Sequence, residues 1–268
     1  MMADSLVADD WPEIVRKIRA RTPARLLAGR VGAAYRTGTQ MELRRAHAEA
    51  RDAVRADLDL EKQFGNEFVK RWGLFEVCSE AASKDEYLLQ PGLGRTFSEV
   101  SRSQLLSLCS AGPDMQIAIG DGLSVTAMSA QVPALLPLLH SGAQRRGWSV
   151  GQAFVIRHCR VGILNEIGEI LTPAVAVLLI GERPGLATAE SLSAYMAYRP
   201  VRTHTDADRN LVSNIHVRGV TAPEAAARIL DLAAQMMQAR FSGTRLMLEN
   251  ARLKKCGVMN LGPPEVNT

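Results

Sequence analysis

Residues 174–181, AVAVLLIG, form a run of eight residues without a polar side chain. A strand that is apolar at every position is buried on both faces, as in parallel sheets covered by helices. Similar short apolar runs recur along the chain, and segments with helical periodicity separate several of them. The sequence therefore predicts an α/β fold: a doubly wound, mainly parallel sheet flanked by helices, with a small N-terminal helical region. The strands are predicted within residues 74–80, 86–91, 115–124, 153–162, 174–181 and 192–200, and the helices between or after them at residues 98–110, 133–146, 163–171 and 221–243.

Two capping boxes predict where helices begin. Asp10 with Glu13 opens the first helix, and Thr221 with Glu224 opens the last predicted one, for which Gly243 is the stop signal. A second N-terminal helix is predicted from Met41 to about Leu58, after a glycine-containing loop at residues 24–40. We divide the chain into an N-terminal helical region (1–72), an α/β domain (73–243) and a loose C-terminal tail (244–268).

The composition argues against nucleic acid and membrane partners. The net charge is only +4, from 32 Lys and Arg against 28 Asp and Glu, and solvated helix faces explain its dispersed arginines. No window approaches the ~20 uninterrupted apolar residues that a membrane span needs. The N-terminus, MMADSLVADDWPE, lacks the basic and apolar pattern of a secretory signal.

The usual catalytic and metal-binding motifs are missing from the sequence. The cysteines, Cys78, Cys109, Cys159 and Cys256, are far apart and predict small buried side chains in a reducing compartment. There is no G-x-x-x-x-G-K-[ST] phosphate loop, no opening G-x-G-x-x-G and no G-x-S-x-G nucleophile elbow. The five histidines are scattered without a metal-binding pair. The sequence therefore shows none of these catalytic motifs and predicts no metal site.

Polar residues do follow the predicted strands. The segments 120–124 (GDGLS), 159–168 and 181–185 (GERPG) end three strands, and we expect residues 205–215 on the same rim, where α/β sheets bind ligands. Glycines there would let a ligand approach the backbone. The side chains that could bind it are Asp121, Glu182, Ser213 and Asn214. Two alternatives stay open: GDG is a tight turn, and Glu182 forms an exposed ion pair with Arg183.

These segments resemble the small (light) subunit of ethanolamine ammonia-lyase, an adenosylcobalamin-dependent enzyme. The matching pieces occur in the family's order from about Arg25 to Gly243, which is most of the chain. The pair LIGERPGL…ESLS and DRN…SNI is highly specific. The other matching pieces are LAGRVG…RTGTQ, EARDAV, IGDGLSVTA, GILNEIGEIL and TDADRNLVSNIHVRG.

The resemblance implies three cofactor contacts on this chain. The family's cobalamin-binding positions transfer to Val161 in CRVGIL, Glu182 in IGERPG and Leu211 in DRNLVSN. The family often has a cysteine at the last position, so a contact through the Leu211 backbone would be retained and one through the side chain would not. The chain also lacks D-x-H-x-x-G, which fits a cobalamin that keeps its own base on cobalt.

The reaction implied by the resemblance converts ethanolamine to acetaldehyde and ammonia by a radical mechanism. The family's substrate and radical-handling residues lie in the large subunit, whose (β/α)₈ barrel holds the corrin. The expected partner is therefore the large subunit, in a hetero-oligomer with six of each chain. The expected location is the cytoplasm, either free or inside a bacterial microcompartment, and the absence of some relatives' long N-terminal extension favours free cytoplasm.

Two other functions compete with this one. The chain could be a binding or regulatory module with a nucleotide-type pocket and no enzymatic partner. It could also be a stand-alone hydrolase with Asp121 or Glu182 as its base. The missing nucleophile and the specificity of the matching segments weigh against both.

Overall fold

The computed structural model describes residues 12–21, 30–185 and 187–255 of the chain. The helices are α1 (Glu13–Ala20), α2 (Thr37–Arg55), α3 (Leu60–Phe64), α4 (Asn66–Trp72), α5 (Lys84–Leu89), α6 (Glu99–Leu108), α7 (Val125–Arg145), α8 (Leu164–Leu171), α9 (Ala222–Ala239) and α10 (Thr244–Lys255). The strands are β1 (Arg30–Val31), β2 (Ala34–Tyr35), β3 (Glu76–Cys78), β4 (Met115–Gly120), β5 (Phe154–Arg157), β6 (Val175–Gly181), β7 (Leu192–Tyr198) and β8 (Asn210–Ile215). Short 3₁₀ turns lie at Leu93–Arg95, Val161–Ile163 and Asp206–Asp208.

A mixed six-stranded sheet forms the centre of the protein, in the order β3-β5-β4-β6-β7-β8. The first four strands in this order pair in parallel. Strand β7 pairs antiparallel with β6 and with β8, so β8 again runs in the direction of β6. The predicted mainly parallel α/β sheet is confirmed. Strand β8 was not predicted, because its pattern NLVSNI mixes buried and exposed positions at the edge of the sheet.

Helices cover both faces of the sheet, and the alternation of side chains along β4 shows how. Ile117 and Ile119 point into the larger core with α7 and α9, whereas Ala118 points into the smaller core with α6 and α8. All seven residues of β6 are buried. The long apolar run that predicted a central strand therefore reflects burial on both faces.

Two segments of the sequence adopt other structures than predicted. Of the strand predicted at residues 86–91, residues 86–89 lie in α5 instead: the Ser83 hydroxyl accepts a hydrogen bond from the Glu86 amide at 3.2 Å and caps the helix. A six-residue segment with three apolar residues is too short for its periodicity to separate strand from helix. The helix predicted from Pro133 begins at Val125, where Ser124 caps it, and Pro133 lies inside the helix.

The ends of the predicted helices also need correction. Thr221 occupies the cap position of α9 but makes no capping hydrogen bond, so that capping box is wrong. The helix ends at Ala239, followed by Arg240 as its C-cap with a positive φ of 63°, and does not extend to Gly243. At the other end, Asp10 lies outside the described residues, and its capping box stays a prediction. Within the predicted loop at residues 24–40, β1 and β2 form a short hairpin and α2 begins at Thr37.

The expected loose tail is wrong for residues 244–255, which form α10. Leu246 on this helix is almost completely buried and belongs to the larger core, and Asn250 donates a hydrogen bond to Gln235 of α9 at 2.7 Å. A single buried leucine in a polar segment is not visible as a helical pattern. Residues 256–268 lie outside the described residues.

Candidate functional site

The carboxyl ends of β4, β5, β6 and β8 meet the beginning of β7 at one edge of the sheet. A cavity of about 350 Å³ opens there, which we call the rim cavity. It is lined by Tyr87, Gly122, Leu123, Cys159, Arg160, Val161, Ile180, Gly181, Glu182, Arg183, Ser193, Tyr195, Leu211 and Ser213. The location agrees with the rule that ligands of open α/β sheets bind beyond the carboxyl ends of the strands.

The three residues suggested by the family resemblance, Val161, Glu182 and Leu211, all line the rim cavity. Val161 begins the 3₁₀ turn after β5, Glu182 follows β6, and Leu211 lies on β8 with 46% of its surface exposed. Leu211 pairs with Tyr195 of β7, which lines the same wall. The structure therefore brings the three residues together from separate parts of the chain. Their contact with a cofactor stays a prediction.

The Glu182 carboxylate is held in place by residues of β7 and β8. Its Oε1 accepts hydrogen bonds from the Ser193 hydroxyl at 2.6 Å and from the Asn214 amide at 2.9 Å. No ion pair between Glu182 and Arg183 is present among the described residues, so the alternative of an exposed ion pair is wrong. The two bonds use only Oε1, and Oε2 accepts no hydrogen bond from the described protein. The Glu182 side chain can therefore present one oriented acceptor to the cavity.

Asp121, in contrast, is not available to a ligand. Its side chain is buried, Oδ2 accepts from the His158 amide at 2.9 Å, and Oδ1 accepts from the Cys159 amide at 2.8 Å. The Lys84 ammonium lies 3.6 Å from Oδ2. Burial raises the pKa of Asp121, and Lys84 and the two amides oppose that effect. The carboxylate fastens the end of β4 to the end of β5, which removes the candidate base Asp121 from the hydrolase alternative.

Gly122 and Gly181 at the rim allow two backbone segments to pack closely against each other. A Cβ on Gly122, which has φ of +53°, would lie 2.3 Å from the Gly181 carbonyl oxygen. A Cβ on Gly181 would lie 2.1 Å from the Ser124 carbonyl oxygen. The expectation that these glycines let a ligand approach the backbone is wrong for both positions, because the space beside them is filled by the protein's own loop. The GDG segment is the tight turn that this packing requires.

Tyr87 and Arg160 line the rim cavity and were not predicted. The Tyr87 hydroxyl lies 2.8 Å from the carbonyl oxygens of both Gly122 and Cys159, and it can donate to either. Burial raises its pKa, so the phenol stays protonated. The Arg160 guanidinium lies 4.3 Å from the centre of the Tyr87 ring. No local motif marks these residues, since the α5 segment and the β5 end meet only in the folded protein.

A second and larger depression adjoins the rim cavity. It has a volume of about 980 Å³, and we call it the lateral groove. Arg160, Val161 and Tyr195 line both spaces. The other lining residues of the groove include Arg95, Asn165, Glu166, Glu169, Arg202, His204, Asp206 and Arg209. The two spaces form one open surface, which an additional molecule or chain would have to close.

Metal-binding groups and membrane-spanning helices are not found in the described part of the chain. No three His, Cys, Asp or Glu side chains cluster there as a metal site would need. None of its helices is long and apolar enough to cross a bilayer.

Cys109 and Cys159 are buried and Cys78 is half-buried, all three as free thiols, while Cys256 lies outside the described residues.

Comparison with known proteins agrees with the resemblance. A family model described as ethanolamine ammonia-lyase light chain (EutC) matches residues 12–247. The chain belongs to this family. It is 41% identical over 234 residues to the ethanolamine ammonia-lyase small subunit of Clostridium perfringens, covering 87% of this chain and 77% of that protein. It is 40% identical over 256 residues to the protein of the same name from Fusobacterium nucleatum subsp. nucleatum, covering 91% and 85%.

Membership of this family makes the chain a subunit of a lyase that degrades ethanolamine, and the name small subunit implies a larger partner. The match extends from α1 into α10, so it includes every residue that lines the rim cavity. The open surface of the rim cavity and lateral groove is consistent with a chain that works in a complex.

Proposed function

We propose that this chain is the small subunit of an adenosylcobalamin-dependent ethanolamine ammonia-lyase, and that its rim cavity forms one wall of the cobalamin site. The large subunit would supply the other wall and the catalytic residues. The observation that carries the proposal is the convergence of Val161, Glu182 and Leu211, from three separate segments, on one open cavity. We assign no catalytic residue to this chain.

The chemistry of the rim cavity fits the cofactor. The lower side of cobalamin carries carboxamides, a ribose and a phosphate-linked nucleotide, all of which form hydrogen bonds. Glu182 offers Oε2 as an acceptor for an amide or a hydroxyl, with the carboxylate already oriented by Ser193. On the donor side, the Arg160 Nε is buried without an acceptor in the described protein. The rest of the Arg160 side chain lines the cavity and forms no ion pair in the described protein, so this wall carries both an acceptor and a cationic donor group.

The rim residues bind and orient, and they do not handle the substrate. When bound, adenosylcobalamin supplies the radical chemistry that turns ethanolamine into acetaldehyde and ammonia. Burial raises the pKa of Tyr87, and its hydroxyl can donate to the Gly122 or the Cys159 carbonyl oxygen beside the cavity. Leu211 and Val161 supply apolar surface that keeps water from the wall. The complex would contain six copies of each subunit in the cytoplasm, free or inside a microcompartment.

Reconstitution tests the proposal directly. The chain and a large subunit are purified separately, and cobalamin binding and ammonia release are measured for each and for the mixture. We expect weak cobalamin binding and no deamination by this chain alone, because only part of the wall is present. The mixture should bind cobalamin tightly and release ammonia. Deamination by this chain alone, or a mixture that binds no cobalamin, would contradict the proposal.

A further inference from the structure

Arg160 lies where the rim cavity and the lateral groove meet, and it lines both. Its amide donates to the Gly94 carbonyl oxygen at 2.8 Å. Its side chain crosses Gly94 so closely that a Cβ there would lie 2.6 Å from the Arg160 Cγ. The guanidinium then rests on the Tyr87 ring. The arginine is therefore held in one position before any ligand arrives.

This guanidinium has no acidic partner in the part of the chain that the structure describes. No carboxylate there lies within ion-pair distance of Arg160, and its Nε is buried without an acceptor. A buried donor without an acceptor is unfavourable, since it has lost its water and gained nothing in return. Because the Arg160 side chain also lines the open rim cavity, its unpaired guanidinium suits a ligand that brings a negative charge there.

A second arginine lies beside the same 3₁₀ turn. The side chain of Arg95 crosses Gly162, where a Cβ would lie 2.9 Å from the Arg95 Cγ, and it lines the lateral groove. Within the described residues, Arg95 also forms no ion pair. The acids of the groove are already paired: Glu166 with Arg102, Glu169 with Arg202 and Asp206 with Arg209. The surface around Arg160 and Arg95 is therefore left with uncompensated positive charge.

We infer that Arg160, assisted by Arg95, forms an anion subsite for the phosphodiester that joins the nucleotide of cobalamin to its corrin. This inference rests on the proposed function. Arginine suits a phosphate because its planar fork can donate two parallel hydrogen bonds to the phosphate oxygens. Arg160 directly precedes Val161, so the charged contact would lie beside the position that the family resemblance already assigns to the cofactor.

The test compares three adenosylated corrinoids in the assembled two-subunit enzyme. Adenosylcobalamin has the phosphodiester, adenosylcobinamide phosphate has a phosphate without the nucleotide base, and adenosylcobinamide has neither. Equilibrium binding is measured by absorbance for the wild type, Arg160→Met and Arg160→Lys. Methionine keeps much of the stem that packs on Gly94 and Tyr87, and lysine restores the charge. Arg228→Met is the matched control, because Arg228 pairs with Glu224 on the exposed side of α9.

We expect Arg160→Met to weaken both phosphate-bearing corrinoids about ten- to a hundredfold and to leave adenosylcobinamide within about threefold. Arg160→Lys should recover part of the loss, and Arg228→Met should behave as wild type. An equal loss for all three corrinoids would overturn the inference, since Arg160 would then act on the corrin or on the fold.

Two other outcomes would also overturn it. In the first, Arg160→Met binds all three corrinoids as the wild type does, but its subunits associate more weakly in sedimentation. This would mean that the Arg160 guanidinium pairs with a carboxylate of the large subunit. A wild-type assembly that binds none of the three would contradict the proposed function itself, and the phosphate subsite with it.

Discussion

The Glu182 carboxylate accepts a hydrogen bond from the Ser193 hydroxyl, with 2.6 Å between Oε1 and Oγ. Glu182 begins the loop that joins β6 to β7 and Ser193 is the second residue of β7, so the bond closes the loop at its base. The same oxygen accepts from the Asn214 amide at the end of β8. One side chain thus connects three strands and still keeps a second oxygen for a ligand.

Replacing Glu182 by glutamine tests this second oxygen. The glutamine side chain can accept through its carbonyl oxygen from both Ser193 and Asn214, while its amide nitrogen takes the place of Oε2. We expect unfolding free energy to change by less than about 1 kcal/mol and cobalamin affinity of the assembled enzyme to fall about ten- to a hundredfold. Denaturant titration and absorbance titration measure the two quantities. Glu224→Gln is the control, because Glu224 pairs with Arg228 on the exposed side of α9. Normal cobalamin affinity of Glu182→Gln would mean that the carboxylate is only structural.

Adding a methyl group to Gly181 should affect the fold. The new Cβ would lie 2.1 Å from the Ser124 carbonyl oxygen, so the loop after β4 would have to move. We expect Gly181→Ala to lower the unfolding free energy by about 1–3 kcal/mol. Gly185 in the same GERPG segment is the control: a Cβ there meets only the Ala187 amide nitrogen, at 4.0 Å. Equal stability of the two variants in denaturant titrations would contradict this packing.

Removing the Asp121 carboxylate should destabilise the protein strongly. Asp121→Ala leaves the His158 and Cys159 amides without their acceptor and Lys84 without its partner. We expect a loss of about 3–5 kcal/mol in unfolding free energy, as for other broken buried ion pairs. Chemical denaturation measures it. A stable variant that has lost only cobalamin binding would show instead that the carboxylate faces the ligand.

The titration of Asp121 also gives the stability a pH dependence of definite sign. Because burial raises its pKa above the ordinary 3.8, the folded protein binds this proton more tightly than the unfolded chain does. Between 3.8 and the raised value, Asp121 therefore lowers stability as the pH increases. Over this pH range, the unfolding free energy of the wild type should therefore fall relative to that of Asp121→Asn as the pH increases. A difference that is constant with pH would contradict the raised pKa.

The described thiols should differ in reactivity. The thiolate is the reactive form, and burial raises the pKa of all three thiols: to about 11 for Cys109, well above the ordinary value for the fully buried Cys159, and also for the more exposed Cys78. At about pH 8 we expect iodoacetamide to modify Cys78, which is half-buried, before Cys109 and Cys159. Mass spectrometry of native and denatured samples measures the order. Rapid native modification of Cys159 would show that the end of β5 opens in solution.

Several elements of this protein follow from local sequence alone. The apolar run at residues 174–181 predicts β6, because only burial on both faces tolerates such a segment. The helical periodicity at residues 163–171 predicts α8, whose range is Leu164–Leu171. Glu182 at the end of β6 is likewise visible as a polar residue at the edge of the sheet. These features depend on neighbours a few residues apart, which the sequence contains.

The tertiary structure decided what each polar residue does. Asp121 and Glu182 both follow buried strands. Both carboxylate oxygens of Asp121 accept hydrogen bonds from amides that follow β5, whereas Glu182 keeps one oxygen for the cavity. Likewise Tyr87 and Arg160 are far apart in sequence and stack only after folding. A hydrogen-bond partner in a distant segment leaves no local pattern. Long-range contacts therefore determine which carboxylate stays free and which arginine stays unpaired within the described residues. No single segment of the sequence contains those contacts.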